Sequence, residues 1–173
     1  MKNKFELIHL NNLFYSMKNK LNLNLYNNKN IGYVDKEKII YSSYEAMFLL
    51  EKELSYIKKK EKILSKEEIN NVFLKKKDFL YKYKVYLDLK KKSYTIKTGL
   101  KYGCDFRVYD KKKKIEEEHS KWLVIVLKEK DTINCQNFVS KNRISHSTKK
   151  NLLIAIIDDD LLITYYEINW IKP

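Results

Sequence analysis

A phenol and an imidazole stand ten positions apart in this chain, at Tyr109 and His119. Imidazole titrates near neutrality, with a reference pKa of about 6.5, so it can hold and release a proton. Phenol has a reference pKa of about 10 and is a poor base at pH 7 unless a neighbouring cation favours its ionised form. Between the two lies DKKKKIEEE, Asp110 to Glu118, a run too polar to be buried. A phenol and an imidazole presented beside a basic loop could bracket one phosphate.

The elements that must position these groups are legible around them. Tyr94, Ile96 and Thr98 alternate with Thr95, Lys97 and Gly99, the period of a half-buried strand. Gly99 and Gly103 interrupt it where a chain turns or lets something approach closely. Phe106 and Val108, then Trp122 to Leu127, supply two more strand-like segments. Tyr109 thus ends one strand and His119 opens the approach to the next. Farther on, SHSTKK reads as helical or a helix end, LLIAII (Leu152 to Ile157) as a buried strand, Asp158 to Asp160 as an acidic turn, and LLITYYEI as a returning strand. His146 and Lys150 are four apart and would share a helical face, which makes His146 a competitor of His119 as a proton donor.

In the first half, short apolar pieces separated by Asn clusters (Phe5 to Leu10, Leu13 to Tyr15, Leu21 to Tyr26, Ile31 to Val34, Ile39 to Tyr41) predict a small, mostly antiparallel sheet. SSYEAMFLLEKELSYIKKK predicts a helix capped by Ser43, with Ala46, Phe48, Leu49, Leu50, Leu54 and Ile57 giving its apolar face. Ser65 and Glu68 form a capping-box signature for a helix running toward Tyr83, with a break before a further helix over Val85 to Lys92. A domain boundary between helices follows, giving an α+β N-terminal domain over 1–82 and an α/β C-terminal domain with a mixed sheet over 83–173.

The formal net charge of +14 predicts attraction to a polyanion, nucleic acid being the commonest. Abundant Lys, Asn, Ile and Tyr would also follow from AT-rich coding, and the lysine runs at 58–60 and 75–77 read as solvated faces. Two cysteines make neither a disulfide framework nor a zinc site, and a reducing compartment is the default. No apolar run is long enough to span a membrane, and the basic start lacks a secretory signal's apolar centre.

The segment YLDLKKKSYTIKTGLKYGCDFRVY (Tyr86 to Tyr109), followed by EHSKWLV (Glu118 to Val124), resembles the catalytic core of the archaeal-type tRNA-splicing endonucleases, whose pattern runs YRDLRxRGYxVKTGxKxGxDFRxY and then EHSxYLV. RISHSTKKNLLIAIID (Arg143 to Asp158) and TYYEINWIKP (Thr164 to Pro173) match further family blocks. Singly, one Tyr of 14, one His of three or one of many lysines is an ordinary residue. The combined pattern is specific.

The resemblance implies the family's small α+β N-terminal domain and its restriction-endonuclease-like catalytic domain. It also implies a metal-independent RNA cleavage in which Tyr109 is the base, His119 the acid and Lys150 the transition-state cation, with no cofactor. Lys150 is then the ammonium that would lower the Tyr109 pKa, and His146 is structural or supporting. Arg143 matches an arginine that stacks on a bulged base, with Tyr165 a possible helper. Lys97 and Lys101 are candidate phosphate contacts, simple solubility being an equal explanation. Asp158, Asp159 and Asp160 look like the acidic loop that docks on a neighbouring subunit in homotetrameric relatives.

The sequence departs from the family pattern at Leu161 and Leu162, where Gly and Asp are usual, at Ser93 for Gly, and at Leu87 for Arg. The implied substrate is precursor tRNA with a bulge–helix–bulge. The implied assembly is a dimer of dimers or a heteromer with a related subunit, cytoplasmic in an archaeon and nuclear in a eukaryote. Two alternatives stand beside this: a non-catalytic RNA-binding or scaffold subunit, and a metal nuclease using Asp105, Asp110 and Glu116 to Glu118.

Overall fold

The computed structural model describes residues 4–10, 13–110 and 119–171. It divides into two compact units, Met1–Phe79 and Leu80–Pro173. Each carries one mixed sheet, and the described residues form five α-helices in all.

The N-terminal unit contains β1 (Phe5–Leu10), β2 (Leu13–Met17), α1 (Lys20–Lys29), β3 (Tyr33–Asp35), β4 (Lys38–Tyr41), α2 (Ser43–Glu51), β5 (Ser55–Lys59), β6 (Lys62–Ile63) and α3 (Lys66–Leu74). Its strand order is β3-β4-β2-β1-β5-β6, antiparallel except where β1 pairs with β5. Phe14 stacks on Phe73 at 5.3 Å, and Phe79 stacks on Phe73 and Tyr44, closing the core.

Three expectations are corrected here. Leu21 to Tyr26 is helical, because Asn19 caps α1 and Asn22 bonds back to it. The Leu–Asn alternation imitates a strand, yet the residue it buries is Asn22, which also reaches Ser16 Oγ and Met17 O. The helix predicted from Ser43 starts with Ser42 as cap, in a reciprocal box with Glu45. It ends at Glu51, where Glu53 turns left-handed at φ 55°, and Ser55 to Lys59 becomes the strand beside β1. The helix from the Ser65 box ends at Leu74, and the following one starts at Phe79.

The C-terminal unit is built from α4 (Phe79–Lys91), β7 (Thr95–Thr98), a 3-10 turn (Leu100–Tyr102), β8 (Phe106–Tyr109), β9 (Trp122–Lys128), α5 (Cys135–Ser147), β10 (Asn151–Ile157) and β11 (Ile163–Ile168). Strand order is β11-β10-β9-β8-β7, with β9 and β10 parallel and the other pairs antiparallel. The mixed sheet and its helices follow the expectation. Tyr83, Val85, Tyr86 and Leu89 of α4 are buried, and Tyr86 meets Phe106 at 6.3 Å. Strand pleating then turns Arg107 and Tyr109 to the other face. The run 111–118, with its lysines and Glu116 to Glu118, lies outside the described residues.

Candidate active site

Three chain segments meet at one end of the C-terminal sheet. The β8–β9 register ends at Val108↔Trp122, and the Lys121 amide donates to Val108 O at 2.8 Å. Tyr109, the last residue of β8, therefore lies beside the segment that carries His119 into β9. Parallel pairing sets Asn151 opposite Trp122, and the Asn151 amide donates to Lys121 O at 3.0 Å. Lys150, immediately before β10, thus enters the same end. Two strand spacings, about 10 Å, separate the backbones of the outer segments.

Each position has a local cause. Tyr109 is 5% exposed on β8, opposite Thr95 of β7. His119 is exposed; its neighbour Ser120 is buried, and Ser120 Oγ has no hydrogen-bond partner among the described residues. Lys150 is half-buried and follows the end of α5, where Lys149 turns left-handed at φ 56° and the Lys150 amide returns to Ser145 O. The Lys150 Nζ donates to Thr148 O at 2.6 Å. Because α5 has ended, His146 and Lys150 do not share a helical face; His146 packs edge-on against Trp170 at 4.7 Å.

Two residues that sequence reasoning left without a role, Tyr102 and Arg107, sit among these groups. The Arg107 guanidinium carbon is 6.0 Å from the Tyr109 ring and 5.9 Å from the Tyr102 ring, and its Nε donates to Thr98 O at 3.0 Å. Lys101 and Lys150 place their ammonium groups 5.1 and 5.5 Å from the same Tyr102 ring. Lys97 is directly opposite Arg107 across the strands. Arg107 was findable: it is two residues from Tyr109, so strand alternation sets both on one face. Tyr102 had no comparable signal.

The charges act differently from the expectation that Lys150 tunes Tyr109. Burial pushes the Tyr109 phenol above the ordinary tyrosine value; Arg107 opposes this, and Tyr102 adds to it. Lys150 acts instead on Tyr102. Burial pushes that phenol up, but the hydrogen bond and charge of Lys101, with Lys150 and Arg107, outweigh it and hold Tyr102 below the usual value.

Other candidates lie elsewhere. Arg143 is exposed on α5, beside an open depression of about 560 Å³ that Cys135 and Val139 also line. Tyr165, on β11, donates its hydroxyl to Asp88 at 2.7 Å, and Lys92 covers its ring at 4.9 Å, so it faces α4. Asp158 to Asp160 connect the far ends of β10 and β11, a strand length of roughly 20 Å from Lys150. Asp159 is ion-paired with Lys130, and the Asp158 carboxylate accepts from the Leu162 amide. Asp105 is bound to Lys82 at 2.7 Å and accepts from the Val126 amide at 2.8 Å.

Comparison with known proteins identifies the family. Residues 79–165 match the family model of the tRNA intron endonuclease, catalytic C-terminal domain. The chain is 38% identical over 162 residues to the tRNA-splicing endonuclease of Thermococcus kodakarensis, covering 92% of this chain and 94% of that protein. It is 40% identical over 159 residues to the tRNA-splicing endonuclease of Nanoarchaeum equitans, covering 83% and 99%. With the protein of that name from Methanothermobacter thermautotrophicus it shares 36% over 149 residues, covering 86% and 87%. Matching half its length to the catalytic-domain model and 83–92% of it to these relatives, the chain belongs to the tRNA intron endonuclease family.

Proposed function

We propose that this chain is a catalytic subunit that excises introns from precursor tRNA, cutting at bulge–helix–bulge splice sites to leave 2′,3′-cyclic phosphate and 5′-hydroxyl ends. The observation that carries this reading is the shared sheet end of Tyr109, His119 and Lys150. RNA supplies its own nucleophile, the 2′-hydroxyl. Tyr109 takes its proton as the O2′–P bond forms. His119 gives a proton to the 5′-oxygen as the P–O5′ bond breaks. Lys150 faces the phosphorane oxygens, where an oriented cation stabilises the developing charge. Arg107 supports the tyrosinate form of Tyr109 and replaces Lys150 in that part of the account.

No metal is needed in this scheme, and the carboxylate a metal site would require of Asp105 is occupied by Lys82 and Val126. The catalytic unit spans 83–173, and 1–82 forms an accessory domain. Two symmetric cuts favour a dimer of dimers, with Asp158 to Asp160 at an inter-subunit contact and Arg143 on the bulged base. Lys97 and Lys101 contact backbone phosphates. Tyr165, turned toward Asp88, is the weakest member of the RNA-binding set. A scaffold subunit would have no reason to keep Tyr109, His119 and Lys150 together.

The test is cleavage of a bulge–helix–bulge RNA by the purified chain in excess EDTA, with analysis of both new ends. Cyclic phosphate and 5′-hydroxyl ends are expected. Loss of cleavage in EDTA, or 3′-hydroxyl ends, would overturn the mechanism; no cleavage without a second subunit would favour the scaffold reading.

A further inference from the structure

We infer that Tyr102 is a positioning residue of this site: its ring gathers the Lys150 ammonium and the Arg107 guanidinium into one cationic wall. The inference rests on the catalytic reading of Lys150 given above. Three cations, from Lys101, Arg107 and Lys150, lie within 6 Å of the ring centroid. They repel one another, and a carboxylate placed there to hold them would cancel the charge that an RNA phosphate must meet. An aromatic ring attracts cations through its quadrupole and carries no net charge itself. It can hold the wall without neutralising it.

The turn that carries the ring is fixed at both ends. The Tyr102 amide donates to Gly99 O at 2.8 Å and the Gly103 amide to Leu100 O at 3.0 Å. A Cβ on Gly99 would come within 2.8 Å of Cys104 O, so this close approach requires glycine. Lys141 of α5, the helix that ends just before Lys150, donates to Gly103 O. Lys150 itself has a flexible four-carbon stem and a bond to Thr148 O. The ring supplies a second restraint, and it links that restraint to Arg107 and hence to Tyr109. The depressed Tyr102 pKa is a consequence of the same crowding.

The experiment combines kinetics with a direct view of Lys150. In single-turnover cleavage of bulge–helix–bulge RNA, Tyr102→Leu is expected to lower the rate at saturating enzyme about tenfold with a smaller change in the half-saturating concentration. Tyr102→Phe, which keeps the ring, is expected to stay within about threefold of wild type. In protein reductively methylated with ¹³C-formaldehyde, the Lys150 dimethylammonium signal is assigned by its absence from Lys150→Arg. It should be displaced upfield in wild type and Tyr102→Phe, and return to the position of a free lysine in Tyr102→Leu.

Equal losses in Phe and Leu would overturn the inference, because the hydroxyl would then be the working group. An undisplaced Lys150 signal in wild type would overturn it even if Tyr102→Leu did not fold. If Lys150→Ala is impaired but Tyr102→Leu is not, this inference alone fails. If Lys150→Ala cleaves like wild type, the catalytic reading fails and takes the inference with it.

Discussion

Replacing Asp105 separates a structural carboxylate from a metal ligand. Its side chain is 18% exposed, against 25% for Lys82, with 2.7 Å between the charges. Its other oxygen accepts from the Val126 amide in the middle of β9. Asp105→Ala removes both interactions. A buried N–H left without an acceptor costs about 1–3 kcal/mol. Stranding Lys82, whose tip can still reach water, adds about 1 kcal/mol, well below the cost for a fully buried partner. The expected loss is about 3 kcal/mol, or roughly 6–12 °C in melting temperature for a chain of this size. Asp105→Asn keeps an acceptor for Val126 and should lose only about 1 kcal/mol. Urea denaturation of the three proteins with unchanged slopes reads these differences. Cleavage by folded Asp105→Asn should stay within about twofold of wild type, whereas loss of a metal ligand would cost about 100-fold or more. Equal destabilisation by Ala and Asn would refute the Val126 argument. Normal stability with abolished cleavage in Asp105→Asn would refute the structural role itself.

Other outcomes follow from the same geometry. Because burial raises the Tyr109 pKa, less of it is tyrosinate at any given pH, and since the acid must keep its proton, the descending alkaline limb of the pH–rate profile should begin above the ordinary tyrosine value of about 10. Arg107→Gln removes the opposing cation; its basic limb should move to higher pH and its rate at pH 8 should fall, and an unmoved limb would remove Arg107 from the account. Tyr41, buried and bonded to Ser16 at 3.2 Å, is pushed up to about 12, mainly by burial. Its folded pKa lies above the unfolded one, so its contribution is complete below pH 10 and is lost as pH rises toward 12. That contribution is on the order of 2–3 kcal/mol, so wild type should lose that much more stability than Tyr41→Phe between pH 10 and 12; parallel stability–pH curves would contradict it. Leu161 and Ser93 adopt φ of 62° and 69°. Leu161→Gly should raise stability by about 0.5 kcal/mol, the relief of left-handed strain less the added chain entropy, and a lowered melting temperature would show that the Leu161 side chain is needed.

The catalytic half was more legible than the N-terminal half, for physical reasons. Strands β7 and β8 announce themselves by alternation and by the two glycines between them, and β9 by its apolar run. Ser93 and Leu161, where the resemblance leads one to expect glycine, both adopt left-handed backbone. The N-terminal errors were tertiary. Nothing local tells Ser55 to Lys59 to leave the helix; the reason is the unpaired edge of β1, over 45 residues earlier in the chain. Asn22 fell inside the strand expected over Leu21 to Tyr26, because its value lies in a capping bond and a reach to Ser16 that no local pattern announces. At the site, pattern matching singled out Tyr109, His119 and Lys150 as candidates but paired Lys150 with the phenol, where the cation acting on Tyr109 is Arg107. Only the turn at Tyr102 shows that Lys150 faces that ring while Arg107 faces Tyr109.

The division of labour proposed for Tyr109, His119 and Lys150 can be tested by one substrate change. A bulge–helix–bulge RNA with sulfur in place of the scissile 5′-oxygen has a leaving group that needs no proton. On the normal RNA, His119→Ala should lose about 10²–10⁴-fold in rate. On the sulfur RNA it should return to within about tenfold of wild type, while Tyr109→Phe and Lys150→Ala stay impaired. A His119→Ala variant equally defective on both RNAs would contradict the assignment of the imidazole as the acid, and with it the site proposed for this chain.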